Sequence, residues 1–243
     1  MKFRIALFSL TLCFGVNIGL AQEVQGLVHP IEHASVASPV LQEVVQEVLV
    51  KEGDEVTKGQ VLIQLRNSKE MLAVEEAKKL IEQAEFVSKG LSQLFKEKMG
   101  SQEQAVKAGT DLDLAKIKLA LAEEQLKEKT IRSPLNGIVV KKYKEAGESV
   151  DRVEKLVDIL NIDQVDVEFY LDPKYMLTLH VGEPVPVHFP VLGGQEFTGK
   201  IDFIAPQIDA PSNTFLLKLL IDNPTHKIKA GMRGFIDLNK LAH

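Results

Sequence analysis

Residues 67–130 carry two apolar series that are mirror images of each other, and this limits the fold more than any other feature of the chain. Read forward, Ala73, Ala77, Leu80, Ala84, Val87, Leu91 and Leu94 recur at alternating gaps of four and three. A second series, Ala105, Ala108, Leu112, Ala115, Leu119, Ala122 and Leu126, repeats the pattern in reverse about a point between Met99 and Gly100. Spacing that averages about 3.5 residues is the seam of a coiled coil. Mirrored seams are what two antiparallel helices joined by a tight turn require. Ala77 would then face Ala122, and Ala84 would face Ala115, so that the helices approach closely. No proline falls between Pro39 and Pro134 to break either arm. Each arm would be roughly 45 Å long at 1.5 Å per residue. Such a rod suits spanning and docking, and offers no place for a catalytic pocket.

The charge balance removes one class of partner. A formal net charge of -5 argues against nucleic acid, because phosphate binding needs a basic face. Trp is absent and Tyr numbers 3, so no aromatic stacking platform is expected. At the N-terminus, Lys2 and Arg4 precede a largely apolar stretch from Ile5 to Ile18, and Gly19-Leu20-Ala21 ends in small residues. Residues 1–21 therefore read as a secretory signal peptide, cut to leave Gln22 first, with a retained N-terminal anchor as the alternative. The stretch is short for a membrane span, and no other segment is apolar enough to be one. Cys13, the only cysteine, would leave with the signal, so neither disulfide nor thiolate chemistry is expected.

The helical insert interrupts a repeat. SPVLQEVVQEVLVKEGDEVTKGQVLIQL (38–65) and SPLNGIVVKKYKEAGESVDRVEKLVDIL (133–160) both open with Ser-Pro and continue with β-branched residues. Both then turn at Gly53 or Gly147 into a second apolar strand. Neither half is long enough to bury a core alone, so the two should pack face to face. Residues 165–240 follow as short strands punctuated by Pro and Gly, the pattern of a small β-barrel.

The paired segments resemble the two half-motifs of a biotinyl/lipoyl-like domain split by a helical hairpin. The stretches GKIDFIAPQIDAPSNTFLLKLLIDNP (199–224) and KAGMRGFIDL (229–238) resemble the barrel of the same proteins. That order of parts is similar to the periplasmic adaptor subunits, or membrane fusion proteins of the HlyD-like family, in a short form. The resemblance implies an α+β fold: an elongated, split lipoyl-like β-sandwich with an inserted antiparallel α-helical coiled-coil hairpin, followed by a small β-barrel. The expected boundaries are 22–66 and 131–162 for the sandwich halves, 67–130 for the hairpin and 163–240 for the barrel. The resemblance further implies a non-enzymatic role in the periplasm or cell envelope, peripheral to or anchored at the inner membrane. Its partners would be an inner-membrane transporter, an outer-membrane channel and copies of itself in a ring; no cofactor is implied. The alternative is a periplasmic scaffold or binding protein that uses the same modules without a transporter.

The pattern is not followed everywhere. Leu41-Gln42-Glu43 stands where the family usually has a glycine turn, which Gly137 keeps in the second half. The sequence ends a few residues after the barrel, where many adaptors carry a membrane-proximal domain. Around the tip, the family's arginine and leucine spacing is not met.

Candidate site residues follow from this reading. Met99, Gly100 and Ser101 form the partner-docking tip, with Gly100 expected to be exposed. Leu80, Ala84, Val87, Leu91, Leu94, Leu112, Ala115, Leu119 and Leu126 form the seam. Ser101 also begins Ser101-Gln102-Glu103-Gln104, a capping-box arrangement. Gly90 and Gly109, opposite each other under the mirror, are either paired weak points or tolerated surface glycines. Lys69 follows the first half closely, as a carrier lysine would, but lacks that context and reads as a solvated lysine at a helix start. His29 and His33 lie close together in an extended segment without the further ligands of a metal site. No phosphate loop, nucleophile elbow or zinc-protease motif occurs.

Overall fold

The structure, a computed structural model, describes residues 23–240. The leader, Cys13 and Gln22 lie outside the described residues. The chain folds as two compact units, one of β-strands with short 3-10 turns and one that also carries two α-helices.

Of the described residues, the first unit comprises 23–28, 167–221 and 231–240. Its strands come from β1 (Glu23–Ala37), β8 (Lys155–Leu171), β9 (Pro184–Phe189), β10 (Gln195–Asp209), β11 (Thr214–Asp222) and β12 (Arg233–Asp237). They pair in the order β1-β12-β9-β10-β11-β8, and a further pairing of β1 with β8 closes the order into a barrel. From Thr214 to Ile221, β11 alternates between half-buried and buried residues, the period-two signature of a strand with one face on a core. Phe169, Phe189, Phe215, Ile201, Leu217 and Leu219 fill the interior. Two glycines make room for those rings. A Cβ on Gly26 would stand 2.7 Å from the Phe169 ring, and one on Gly234 would stand 2.9 Å from that of Phe189.

The second unit contains residues 29–166 and 222–230. The repeated segments form equivalent strands: β2 (Glu43–Val48), β3 (Glu55–Val56) and β4 (Val61–Leu65) in the first half, and β6 (Gly137–Lys142), β7 (Ser149–Val150) and the start of β8 in the second. The halves exchange strands, with β2 pairing β7 and β3 pairing β6. β4 also pairs β5 (Thr130–Arg132). The exchange is reciprocal at single hydrogen bonds. Gly53 N–H donates to Val139 C=O and Gly147 N–H to Val45 C=O, while Val45 N–H donates to Glu148 C=O and Val139 N–H to Asp54 C=O. Ser38 and Ser133 likewise donate their backbone N–H to Glu154 and Gln60 respectively. Val45, Val56, Leu62 and Leu65 therefore meet Val139, Val150, Leu156 and Ile159 in one shared core.

The irregular start of the first half has a simple cause. Between its Ser-Pro and β2 it holds one residue more than the second half, and Gln42 takes up the extra length with a left-handed φ of 49°. Gly137, by contrast, lies so close to the Leu160 carbonyl that no side chain fits.

Two helices leave the sandwich between β4 and β5: α1 (Ser68–Lys96, 29 residues) and α2 (Gln102–Glu128, 27 residues). They pack on each other. Near the sandwich, Val74, Ala77 and Ala122 are buried, with Ala73, Leu119 and Leu126 against them. No helix among the described residues is long and apolar enough to cross a membrane.

Candidate docking site at the end of the helix pair

The turn between the helices is built by the backbone. α1 ends with Lys98 in the left-handed region, φ 61°. Its N–H donates to Phe95 C=O at 2.9 Å, and the N–H of Met99 donates to Leu94 C=O at 2.8 Å. These are the two bonds of a Schellman motif, which satisfies the last carbonyls of a helix and normally uses glycine where Lys98 stands. Gly100 comes two residues later and folds back on α1. A Cβ there would lie 3.1 Å from Leu94 Cβ and from Phe95 N. Gly100 is thus half-buried and not the freely exposed position expected from the sequence. Met99 is 68% exposed and Ser101 is exposed.

Ser101 is the N-cap of α2 with extended backbone (φ -80°, ψ 135°), but its hydroxyl makes no capping hydrogen bond, so the capping box is not formed. Its carbonyl accepts from Ala105 N–H at 3.2 Å.

Along the pair, Ala77, Ala108 and Ala122 are buried, while Leu80, Ala84, Leu91, Leu112, Ala115, Leu119 and Leu126 are half-buried. Val87 and Leu94 remain 45% and 42% exposed. Val74, which the four-and-three series omits, is buried, and Ile81 and Ser88 are half-buried. The inward line of α1 therefore runs through 77, 84 and 91 with flanks on both sides, because a helix of 3.6 residues per turn presents a face wider than one seam. A groove of about 280 Å³ lined by Leu80, Ala84, Val87, Ala108 and Ala115 lies at mid-length, where small residues face one another. Gly90 and Gly109 have open space where a Cβ would stand, so neither is required by a close approach.

At the other end, the root holds a cluster that sequence patterns do not reveal. Lys129, which caps α2, donates from Nζ to Glu43 Oε2 of β2 at 2.6 Å and pairs with Glu70 Oε1, in the first turn of α1, at 3.1 Å. The three side chains are 11%, 19% and 19% exposed. Burial opposes the charged form of Lys129, but the hydrogen bonds to Glu43 and Glu70 outweigh it and raise its pKa. Burial likewise opposes the Glu43 carboxylate, and the Lys129 and Val44 hydrogen bonds outweigh that and lower its pKa. The Lys129 carbonyl accepts from Leu65 N–H at 2.8 Å and Gln64 Nε2 at 3.0 Å. Lys127-Glu128-Lys129 reads in sequence as a solvated helix end, and its acidic partners are far off along the chain, so nothing local marks it.

The remaining candidates stay dispersed. Lys69 is exposed at the start of α1. His29 and His33 lie on β1. His226 pairs with Asp163 at 2.7 Å and approaches Glu55 at 3.9 Å. Among the described residues, no group of three or more His, Cys, Asp or Glu is placed to hold a metal ion.

Residues 33–161 match the model of the CzcB-like barrel-sandwich hybrid domain, and residues 167–241 match that of the CusB-like beta-barrel domain. The nodulation protein NolF of Rhizobium meliloti is 23% identical over 92% of this chain and 65% of its own length; the chain thus spans less than two thirds of that relative. Among solved structures, a MacA-MexA chimera carrying the Pseudomonas aeruginosa MexA alpha-hairpin domain superposes with a TM-score of 0.77 at 17% identity. It covers 88% of this chain and 80% of that one. The membrane fusion protein Spr0693 of Streptococcus pneumoniae R6 gives a TM-score of 0.71 at 22% identity, over 88% and 97% of the two chains. With its sandwich and its barrel both matched in order, the chain belongs to the CzcB-like barrel-sandwich hybrid family.

Proposed function

We propose that the protein is a non-enzymatic periplasmic adaptor that links an inner-membrane transporter to an outer-membrane channel for efflux or secretion. The modules it would use are a split sandwich of 22–66 and 131–162, a coiled-coil hairpin of 67–130 and a barrel of 163–240. The observation that carries this reading is a pair of helices, each roughly 40 Å long at 1.5 Å per residue, that ends in a turn exposing Met99 and Ser101. A long, thin element of this kind presents its far end to whatever lies beyond its reach. Self-association into a ring is supported by Leu114, Ile117 and Leu121. These lie at helical spacing on the side of α2 away from Ala108 and Ala122 and are each more than half exposed.

The test places a photo-crosslinking residue at Met99 and, as control, at the exposed mid-arm Lys79, in cells that make the full chain. Capture of an outer-membrane channel from the Met99 position alone supports the adaptor. Equal capture from both positions, or none from Met99 in a well-expressed protein, favours the scaffold reading.

A further inference from the structure

The charges at the root of the helix pair, buried Lys129 and half-buried Glu43 and Glu70, belong to three separate pieces of chain. Glu43 lies on β2 of the sandwich, Glu70 in the first turn of α1, and Lys129 at the end of α2. Lys129 Nζ reaches both carboxylates, at 2.6 Å and 3.1 Å. Each charge also suits its helix end, the acid at the N-terminus of α1 and the cation at the C-terminus of α2. A buried ion pair is a poor source of net stability, since desolvation consumes most of its attraction. What it supplies is geometry, because only one arrangement satisfies all the charges.

We propose that the Glu43–Lys129–Glu70 triad is a latch that fixes the direction of the helix pair on the sandwich. Its three side chains hold β2, α1 and α2 at one point, and the buried apolar cluster of the pair begins a turn further out, at Val74 and Ala77. Direction at the root governs position at the tip. About 10° of slack there would move the far end by roughly 7 Å over a lever of roughly 40 Å. Lys129 is a positioning residue in this scheme. The proposal goes beyond the adaptor reading and does not depend on what the tip meets.

The test measures a distance, in the full chain with Cys13→Ser. Spin labels at Met99→Cys, on the tip, and Lys51→Cys, on an exposed sandwich turn, report the direction of the arm by pulsed electron resonance. With the triad intact, one narrow distance is expected. Lys129→Met leaves two half-buried carboxylates facing each other without their cation and should spread the distribution by about 7 Å or more, as that slack predicts. The triple variant Glu43→Gln, Lys129→Met, Glu70→Gln removes every charge and so avoids the stranded carboxylates. It should keep the native melting temperature and still give the broad distribution. A triple variant as narrow as the native chain would overturn the latch and assign the arm's direction to apolar packing. Loss of the fold in both variants would make the triad part of the core and would overturn the positioning role as well.

Discussion

Val153 stands where the other half of the sandwich has Gly59. Their φ angles are 67° and 87°, so the same turn is made twice, once with the residue suited to it and once with a β-branched one. Left-handed backbone costs a non-glycine residue about 1–2 kcal/mol, and Val153, 75% exposed, recovers little by burial. Val153→Gly should therefore stabilise the sandwich unit by about 1 kcal/mol after the entropy cost of glycine, measured by urea unfolding. An unchanged or lower midpoint would show that the strain is relieved elsewhere. Asn223 is the opposite case. It is buried, donates from Nδ2 to the carbonyls of Ile162 and Ile228 at 2.8 Å each, and accepts from Ile228 N–H at 3.1 Å. Asn223→Ala strands all three groups and should cost about 2–4 kcal/mol. A loss under 1 kcal/mol, within the range of an ordinary surface change, would mean that water replaces the amide. Neither residue was marked by the sequence. A Val in a polar turn and an Asn before a proline look ordinary until the backbone is known.

At the scale of elements, the helix pair was the most legible part, because a periodic apolar pattern is a local property. The width of its inward face was less so. A pattern of spacings does not say how far the face extends to either side, and Val74 rather than Val87 proves to be covered. The mirror register predicts that cysteines at Ala84 and Ala115 form a disulfide under mild oxidation, whereas cysteines at Ala84 and Leu126 do not. Equal crosslinking of the two pairs would refute the register. The outer face of α2 offers a second prediction. Ile117→Glu with Leu121→Lys should lower the apparent mass in sedimentation while leaving helicity unchanged; an undisturbed oligomer would place self-association elsewhere. The root latch also fixes a pH response. Glu43 titrates lower in the folded chain than when unfolded, so its contribution is present above the ordinary carboxylate range and is lost as pH falls through the lowered value. Lys129 titrates higher, so its contribution holds below the ordinary lysine range and is lost as pH rises through the raised value. Between those ranges, from about pH 4.3 to 10.4, neither the Glu43 nor the Lys129 contribution should change with pH. The latch's melting contribution should fall only in acid or strong base, and a change near neutrality in the native chain, absent from the triple variant, would contradict this.

For the whole molecule, the repeat was visible because both halves keep Ser-Pro, a glycine turn and an apolar strand. The exchange of β3 and β7 between halves was not, since strand partners are chosen by distant residues. For the same reason, the sequence did not show that residues 222–230 fold with the sandwich unit although the strands before and after them belong to the other, nor that β1 pairs with β12 at the far end of the chain. The pairing of β4 with β5 has one more consequence. Gln64 sits opposite Thr130 across that ladder, and the Thr130 hydroxyl donates to the Gln64 side chain at 3.1 Å. To the sandwich, the intervening residues are a connection whose two ends are already side by side, and closing a longer connection costs little more than closing a short one. Removing matched heptads from both helices should leave the sandwich's unfolding free energy nearly unchanged. The socket is thus indifferent to its insert, and reach across a gap of any width becomes a quantity that selection, or a designer, can set without renegotiating the fold that carries it.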